Sequence, residues 1–292
     1  MLILIILSFL FTQPGDGMPG ANVGDSVYVK GFETGGFANA VSLTADGIGA
    51  IYVLDAGSNE IVKYDSNLTE IKRAGGPGGG SVQFYSPTYI DASSGLDLLV
   101  SDGTNYRVQR LDLKLAFISE LATDQSTFLD ELQFKTPVAT LVVNSNDLYI
   151  IDGDNKRVVI FPNGFKPSSS FGGFNSGKGK LTEPVKLLKD NENIIYILDR
   201  KKNAIMKYDN FGSYKGSIDP GDIMNFSIYN NVLYILTRDE VIVYDISSGA
   251  YTNKFPLPTS VLPQNVTDFL VYSSEKYLLL ERNKLSYWIL KQ

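Results

Sequence analysis

The sequence predicts an all-β fold, a six-bladed β-propeller of four-stranded blades, from three observations. Short apolar runs that end in a polar residue occur six times, as IYVLD (51–55), LLVSD (98–102), LYIID (148–152), IYILD (195–199), LYILT (233–237) and YLLLE (277–281). Each is followed by a second β-rich run, which begins ten residues later in the first four copies and eight residues later in the last two. The copies start 38 to 50 residues apart, a period that is typical of propeller blades.

A second set of residues keeps the same period. Pairs of a bulky residue and a Pro or Ala lie at Phe37 and Ala40, Phe84 and Pro87, Phe134 and Pro137, and Leu181 and Pro184. A proline at the start of an edge strand loses no ladder hydrogen bond, so it fits the first residue of each innermost strand. We therefore expect the bulky residue before it to pack between blades.

The two ends of the repeat region predict how the ring closes. The sixth repeat ends at LSYWILKQ, without residues for a fourth strand, whereas SVYVKGF (26–32) precedes the first blade. We expect this N-terminal strand to complete the last blade, because an unpaired sheet edge would otherwise remain exposed.

The N-terminus, MLILIILSFLFTQ, has an apolar run of the length of a signal-peptide core. Residues 1–22 are therefore predicted to be a signal peptide and polar leader, and residues 23–292 a single propeller. A retained anchor and a buried N-terminal strand are the alternatives. The prediction implies a secreted or periplasmic protein with no transmembrane span in its mature chain.

The composition excludes several classes of chemistry. The net charge of −6 is unfavourable for binding nucleic acid, which needs a basic contact surface. The chain has no Cys and no His, so thiol nucleophiles, disulfides and the commonest zinc ligands and general bases are absent. Mechanisms that use carboxylates alone and oxygen-ligated calcium remain possible, and the prediction is no cofactor, with calcium as the alternative.

One stretch comes close to a nucleotide-binding signature. GGFNSGKGK (172–180) matches the phosphate loop G-x-x-x-x-G-K-[ST] except at Gly179, where Ser or Thr should stand. A phosphate loop must open a helix, whereas a strand is predicted to follow here. We interpret it as a connector between blades, in which glycine permits tight turns.

The composite repeat pattern resembles the NHL repeat of six-bladed propellers. The best copy is FYSPTYIDASSGLDLLVSDGTNYRVQRLD (84–112), and the last two blades lack its Pro and Asp. The resemblance covers roughly residues 26–292. An amidating lyase with this fold holds zinc through His, which this chain lacks, and calcium-dependent lactonases use inward Glu, Asn and Asp residues that have no clear counterparts here.

The recurrent Asp55, Asp102, Asp152 and Asp199 are predicted to be structural, because a carboxylate at a hairpin entrance accepts backbone N–H bonds and can pair with a nearby Arg. Asp102 with Arg107 and Asp152 with Arg157 are the expected pairs. A calcium site on the propeller axis is the alternative.

The hairpins between the second and third strands of blades four to six carry cations that those of blades one to three lack. These are Arg200, Lys201, Lys202, Arg238 and Arg282. They predict a patch that binds a protein partner or an anionic ligand, in a non-catalytic binding or scaffolding propeller. The alternatives are ordinary solvated loop charge and a carboxylate- or calcium-dependent hydrolase with its site at the central channel. The oligomeric state does not follow from the sequence.

Overall fold

The structure is a computed structural model that describes residues 28–123, 132–144 and 146–291. The predicted signal peptide and leader, residues 1–22, and the first two residues of SVYVKGF lie outside the described residues. Among the described residues, no helix is both long and apolar enough to cross a membrane.

The described residues form six separate four-stranded antiparallel sheets, which confirms the predicted propeller. The first strand along the chain, β1 (Tyr28–Gly35), belongs to the sixth blade. Blades one to three contain β2 (Ala40–Ala45), β3 (Ile51–Asp55), β4 (Glu60–Tyr64), β5 (Glu70–Gly75), β6 (Tyr89–Asp91), β7 (Asp97–Asp102), β8 (Arg107–Asp112), β9 (Phe117–Ala122), β10 (Pro137–Val143), β11 (Asp147–Asp152), β12 (Arg157–Phe161) and β13 (Ser169–Phe171).

Blades four to six follow the same order from the axis outwards. They contain β14 (Pro184–Lys189), β15 (Ile195–Asp199), β16 (Ala204–Tyr208), β17 (Tyr214–Ile218), β18 (Asn225–Tyr229), β19 (Val232–Leu236), β20 (Glu240–Asp245), β21 (Ala250–Pro256), β22 (Val266–Ser273), β23 (Lys276–Glu281) and β24 (Lys284–Leu290). Three single 3₁₀ turns, at Pro162–Gly164, Gly177–Gly179 and Pro263–Asn265, are the only helical segments of the described residues.

The strand β1 closes the ring as predicted. It pairs antiparallel with β24, from Tyr28 opposite Leu290 to Gly35 opposite Lys284. The ring of Tyr28 lies edge-on to Trp288, with 6.4 Å between the ring centroids. The first and last parts of the ring are therefore held together by both ladder hydrogen bonds and aromatic packing.

Strand polarity gives the propeller two distinct faces. The upper face carries the loops between the second and third strands of each blade and the connectors between blades. The lower face carries the loops between the first and second and between the third and fourth strands. Because β1 runs antiparallel to β24, Tyr28 lies at the lower face.

The second strands form the centre of each blade, which explains their apolar runs. All residues of β3 and β15 are buried, whereas most residues of the outermost strand β5 are exposed. A strand covered on both sides by neighbouring blades reads as a continuous apolar run, and an outer edge strand does not. The predicted bulky markers Phe37, Phe84, Phe134 and Leu181 are all buried in the cores between blades.

The stretch at residues 172–180 is a connector, as expected. Gly172 has φ +78°, and a Cβ atom there would lie 2.5 Å from Leu181 Cδ1, so the backbone requires glycine. A single 3₁₀ turn at Gly177–Gly179 precedes β14, and no α-helix follows to present its amides to a phosphate.

Candidate functional site

Three of the recurrent aspartates, Asp55, Asp102 and Asp199, accept hydrogen bonds directly from the connector in front of their blade, and Asp152 is joined to its connector through Arg157, which donates to the carbonyl of Gln133. Asp55 accepts hydrogen bonds from the backbone N–H groups of Ala38 (2.8 Å) and Asn39 (2.7 Å). Asp199 accepts from the N–H of Thr182 (2.6 Å) and from its hydroxyl (2.7 Å). These carboxylates are buried and hydrogen-bonded, so their role is structural, as predicted.

The predicted Asp–Arg pairs are present. Arg107 Nε lies 3.1 Å from Asp102 Oδ2, and Arg157 Nε lies 3.3 Å from Asp152 Oδ2. Burial raises the pKa of Asp55, but the hydrogen bonds from Ala38, Asn39 and Gly57 lower it more, so its net pKa lies below the usual value. In the part of the chain that the structure describes, no three carboxylates are grouped as a metal site would require.

The axis of the propeller contains a buried polar network that the sequence analysis missed. Lys186 Nζ donates to Asp268 Oδ1 (2.7 Å) and Asn225 Oδ1 (2.8 Å). Asp268 Oδ2 in turn accepts from the N–H of Leu43 (2.8 Å) and from the hydroxyl of Ser42 (3.2 Å). The inner strands of blades one, four, five and six are thus joined by one ion-pair network.

This network follows a rule that explains the buried polar residues of the inner strands. An innermost strand is a sheet edge, so some of its N–H groups lack a ladder partner. A polar side chain of the preceding blade accepts from such a group: Ser42 Oγ from the N–H of Ile90 (3.4 Å), Thr44 Oγ1 from that of Ala92 (3.1 Å) and Ser227 Oγ from that of Val271 (3.0 Å). These side chains are buried and hydrogen-bonded to one another or to backbone N–H groups of neighbouring blades.

The sequence carries a signal for this network. Ser42 and Lys186 lie two residues after the repeat residues Ala40 and Pro184. Asn225 and Asp268 have the equivalent register in blades five and six, opposite Leu236 and Leu280 of the second strand. Polar residues at that position of an otherwise apolar inner strand would have indicated an axial cluster.

The upper face has a cleft over blades four, five and six, with a volume of ≈ 820 Å³. We call it the upper cleft, and it is lined by Arg200, Asn203, Asp222, Ile223, Met224, Arg238, Asp239, Pro263, Gln264 and Val266. Arg200 and Arg238, two of the predicted binding residues, therefore lie in one cleft. Lys201, Lys202 and Arg282 belong to hairpins of the same face but are not part of its lining.

Hairpin length helps to form the upper cleft. The second and third strands are joined by four residues in blades one to four, by three in blade five and by two in blade six. The last two blades also lack the aspartate tie, because Thr237 and Glu281 replace it. The shorter hairpins leave open space above these blades, where the connectors are held by other hydrogen bonds, such as that from the N–H of Arg282 to the carbonyl of Asn265.

The charge of the upper cleft is more balanced than the sequence analysis expected. Arg238 Nε lies 3.2 Å from Asp222 Oδ2, and both side chains are mostly exposed. Arg200 and Asp239 make no ion pair with any described residue. The sequence analysis counted only hairpin cations and missed Asp222, which lies in the connector between blades four and five.

Asn203 fixes the floor of the upper cleft. It has φ +52°, and its Oδ1 accepts a hydrogen bond from the N–H of Ile223 (2.8 Å). Asparagine tolerates this left-handed conformation better than most residues. The contact holds the connector of blade five beside the hairpin that carries Arg200.

Comparisons with known proteins agree with the fold. No protein-family model matches the chain. A probable peptidyl-alpha-hydroxyglycine alpha-amidating lyase of Caenorhabditis elegans is 28% identical over 141 residues, which is 46% of this chain and 39% of that protein. The match therefore spans less than half of the length of that relative.

Solved structures resemble almost the whole chain. A streptogramin B lyase structure superposes with a TM-score of 0.66 at 10% identity, covering 91% of this chain and 100% of that one. A catalytically inactive virginiamycin B lyase from Staphylococcus aureus with quinupristin, in which a histidine is replaced by alanine, gives a TM-score of 0.63 at 12% identity over 90% of this chain and 99% of that one. At this identity the likeness shows the six-bladed fold alone. None of these lyases is a non-catalytic scaffold, so the comparisons do not support that part of the functional prediction, and the enzyme alternative is closer to them.

Proposed function

We propose that this chain is a ligand-binding propeller whose site is the upper cleft, and that its ligand is a peptide-like molecule with a free carboxylate. The observation that carries the proposal is Arg200, which lies in the wall of the upper cleft without an ion-pair partner among the described residues. A guanidinium binds a carboxylate through two parallel hydrogen bonds, a geometry that an exposed lysine cannot reproduce.

The opposite charges of the upper cleft favour a ligand with both an acidic and a donor group. Asp239, also free of an ion pair among the described residues, can accept from an amide, hydroxyl or ammonium group. Asn203 and Gln264 add amide groups to the lining. A volume of ≈ 820 Å³ lies in the range of pockets for small molecules and short peptides.

Binding of short peptides tests this proposal. Acetylated tripeptides with a free C-terminus should bind, whereas the same peptides with an amidated C-terminus should bind at least about tenfold more weakly, since a charged hydrogen bond contributes roughly 1.5–3 kcal/mol. Arg200→Gln should lose the same discrimination. Lys201→Gln is the matched control, because Lys201 is a neighbouring cation outside the lining. Equal affinity for both peptide forms, measured by calorimetry, would contradict the proposal.

Catalysis in the same cleft is the second candidate function. Its support is that the named relatives are lyases and that two carboxylates, Asp222 and Asp239, lie in the upper cleft. With no His in the chain, the base would be a carboxylate, and a histidine-held zinc does not fit the residues present. Asp239→Asn should then abolish turnover of a bound peptide while binding persists, as followed by mass spectrometry of the products.

The finer family and location predictions remain proposals. The NHL assignment is supported by blade two, where Phe84 is fully buried and Asp102 accepts from both Asn105 Nδ2 (2.8 Å) and Arg107. The motif residues thus form one interaction network. Export to the periplasm or outside the cell, and binding of a protein partner, are supported only by the sequence features described above.

A further inference from the structure

The most exposed large apolar side chains are concentrated on the lower face. In the described ranges, the five highest exposures belong to Ile48 (86%), Phe174 (82%), Phe211 (81%), Phe165 (78%) and Leu96 (77%), and Ile71 follows at 57%. All of them except Phe174 and Ile71 lie in loops of the lower face, one in each of blades one to four. A cluster of exposed apolar loop tips on one face indicates an interaction surface.

Turn formation does not require these side chains. The N–H of Ile48 donates to Asp46 Oδ1 (3.1 Å) in blade one, and the N–H of Glu192 donates to Asp190 Oδ1 (2.9 Å) in the equivalent turn of blade four. The same backbone turn therefore accepts a charged residue at the position of Ile48. The turn therefore does not explain why residue 48 is apolar.

The turn of Phe211 shows the same independence. Phe211 donates its N–H to Asp209 Oδ1 (3.0 Å), and Asn67 makes the equivalent bond to Asp65 (2.9 Å) in blade one. The next position of that turn is the one that reaches the core: Leu68 is buried there, whereas blade four has Gly212. Phe211 is thus at the solvent-facing position, where asparagine would also form the turn.

The chain also enters the propeller on this face. The strand β1 begins at Tyr28, at the lower face, and the 27 residues before it include the apolar run LILIILSFLF. A retained apolar run, the alternative to a cleaved signal peptide, would therefore join the ring on the same side as the apolar tips.

The charges of the lower face determine which kind of lipid surface it can bind. Asp65, Asp112 and Asp209 form its turns, each accepting two backbone N–H groups. The hydrogen bond from Ala116 lowers the pKa of Asp112, so the carboxylate remains ionised at neutral pH. Lys114 and Lys166 lie in the same set of loops, so the described part of this face carries both signs of charge and has no cluster of cations that would favour anionic lipids.

We propose that the lower face docks on a zwitterionic phospholipid bilayer, with Ile48, Leu96, Phe165 and Phe211 entering the interfacial region. Apolar and aromatic side chains bind there through burial of their surface, without needing a basic patch. The upper cleft then faces the aqueous phase, away from the lipid. The inference is independent of the ligand proposed for the upper cleft.

Tryptophan quenching tests the orientation in the full-length chain. Phe211→Trp places a reporter on the lower face, and Phe174→Trp is the matched control, an equally exposed aromatic in an upper-face connector. The native Trp288 is buried and common to both variants. With vesicles of brominated phosphatidylcholine, the fluorescence of Phe211→Trp should fall at least twofold more than that of Phe174→Trp.

A second variant separates lipid from other partners. Phe165→Ser with Phe211→Ser should weaken co-sedimentation with phosphatidylcholine vesicles at least tenfold, while circular dichroism remains that of the native chain. Raising the salt from 0.1 to 0.5 M should change native binding less than twofold. Equal quenching of both reporters, a requirement for anionic lipid, or binding only to vesicles that contain an integral membrane protein would each overturn the proposal.

Discussion

Blades one to four differ from blades five and six in how the hairpin between the second and third strands is joined to the connector in front of the blade. In blade four, Asp199 accepts hydrogen bonds from the connector and from the N–H of Lys202 (3.1 Å), so hairpin and connector are joined. In blade five, Thr237 bonds only within its own hairpin, through the carbonyl of Glu240 (2.8 Å). We call blades one to four the tied blades and blades five and six the open blades.

The difference shows that regular repeats stabilise the ring while irregular repeats provide room for a site. The upper cleft borders the open blades, where the connectors at 219–224 and 257–265 are not held by a buried aspartate. In blade six, Glu281 is buried beside Lys284, with 2.9 Å between Oε2 and Nζ, and does not reach a connector. Blade six depends instead on its pairing with β1.

The largest expected effect comes from removing β1. Deleting residues 1–33 should lower the melting temperature by roughly 10 to 20 °C, since it exposes an edge of blade six and removes the aromatic contacts of Tyr28. Deleting residues 1–22 should leave it unchanged. Differential scanning calorimetry of both truncations measures this difference. Equal melting temperatures would show that ring closure by β1 does not stabilise the fold.

A tied hairpin should cost more to disrupt than an open one. Asp199→Ala removes a buried carboxylate that accepts from four groups and should destabilise the fold by about 3 kcal/mol. Thr237→Ala removes one local hydrogen bond and should cost about 1 kcal/mol. Urea unfolding of both variants checks the order, and a larger cost for Thr237→Ala would refute the distinction between tied and open blades.

The pH dependence should differ between the two faces. Burial raises the pKa of Asp91 to about 6, despite hydrogen bonds from Ser93 and the N–H of Val142, and the facing Asp97 is itself paired with Arg110. A raised pKa in the folded state contributes stability that is present below the unfolded pKa and is lost as the pH rises through about 6.

The native chain should therefore lose roughly 2–3 kcal/mol of its free energy of unfolding between pH 4 and pH 7 because of Asp91, and Asp91→Asn should not show this loss. Asp55, whose folded pKa is lowered, has the opposite sign: its stability is present above the unfolded pKa and is lost as the pH falls through the folded pKa. Asp55→Asn serves as the comparison in urea titrations at both pH values. The same pH slope in the native chain and in Asp91→Asn would exclude Asp91 as its source.

The smallest effect on stability is expected from the hairpin cations. Changing Arg200, Arg238 and Arg282 to Glu should shift the unfolding free energy by less than about 1 kcal/mol, because exposed charges contribute little. The same variant should slow association with an acidic partner or ligand and reduce its salt dependence, as followed by stopped-flow fluorescence. An unchanged association rate would show that these cations do not contribute to binding.

Much of the fold could be predicted because its signals are local and repeated. The apolar runs ending at Asp55, Asp102, Asp152 and Asp199 became second strands that end at these residues. The roles of the aspartates followed from turn chemistry, which depends on a few neighbouring residues. The upper cleft was only half predicted: Arg200 and Arg238 were found, but the ion pair with Asp222 was not.

The sequence by itself determined the number of blades, the strand order, the ring closure and the absence of histidine and thiol chemistry. Only the tertiary structure decided that Lys186 and Asp268, 82 residues apart, meet on the axis and that the shorter hairpins leave a cleft. The reason is physical: strand and turn formation depend on local periodicity, whereas a contact across the ring depends on how six sheets twist and pack together. The eight-residue spacing of the last two repeats was visible in the sequence. Its consequence, the open space of the upper cleft, depends on how the neighbouring blades are placed in the folded ring.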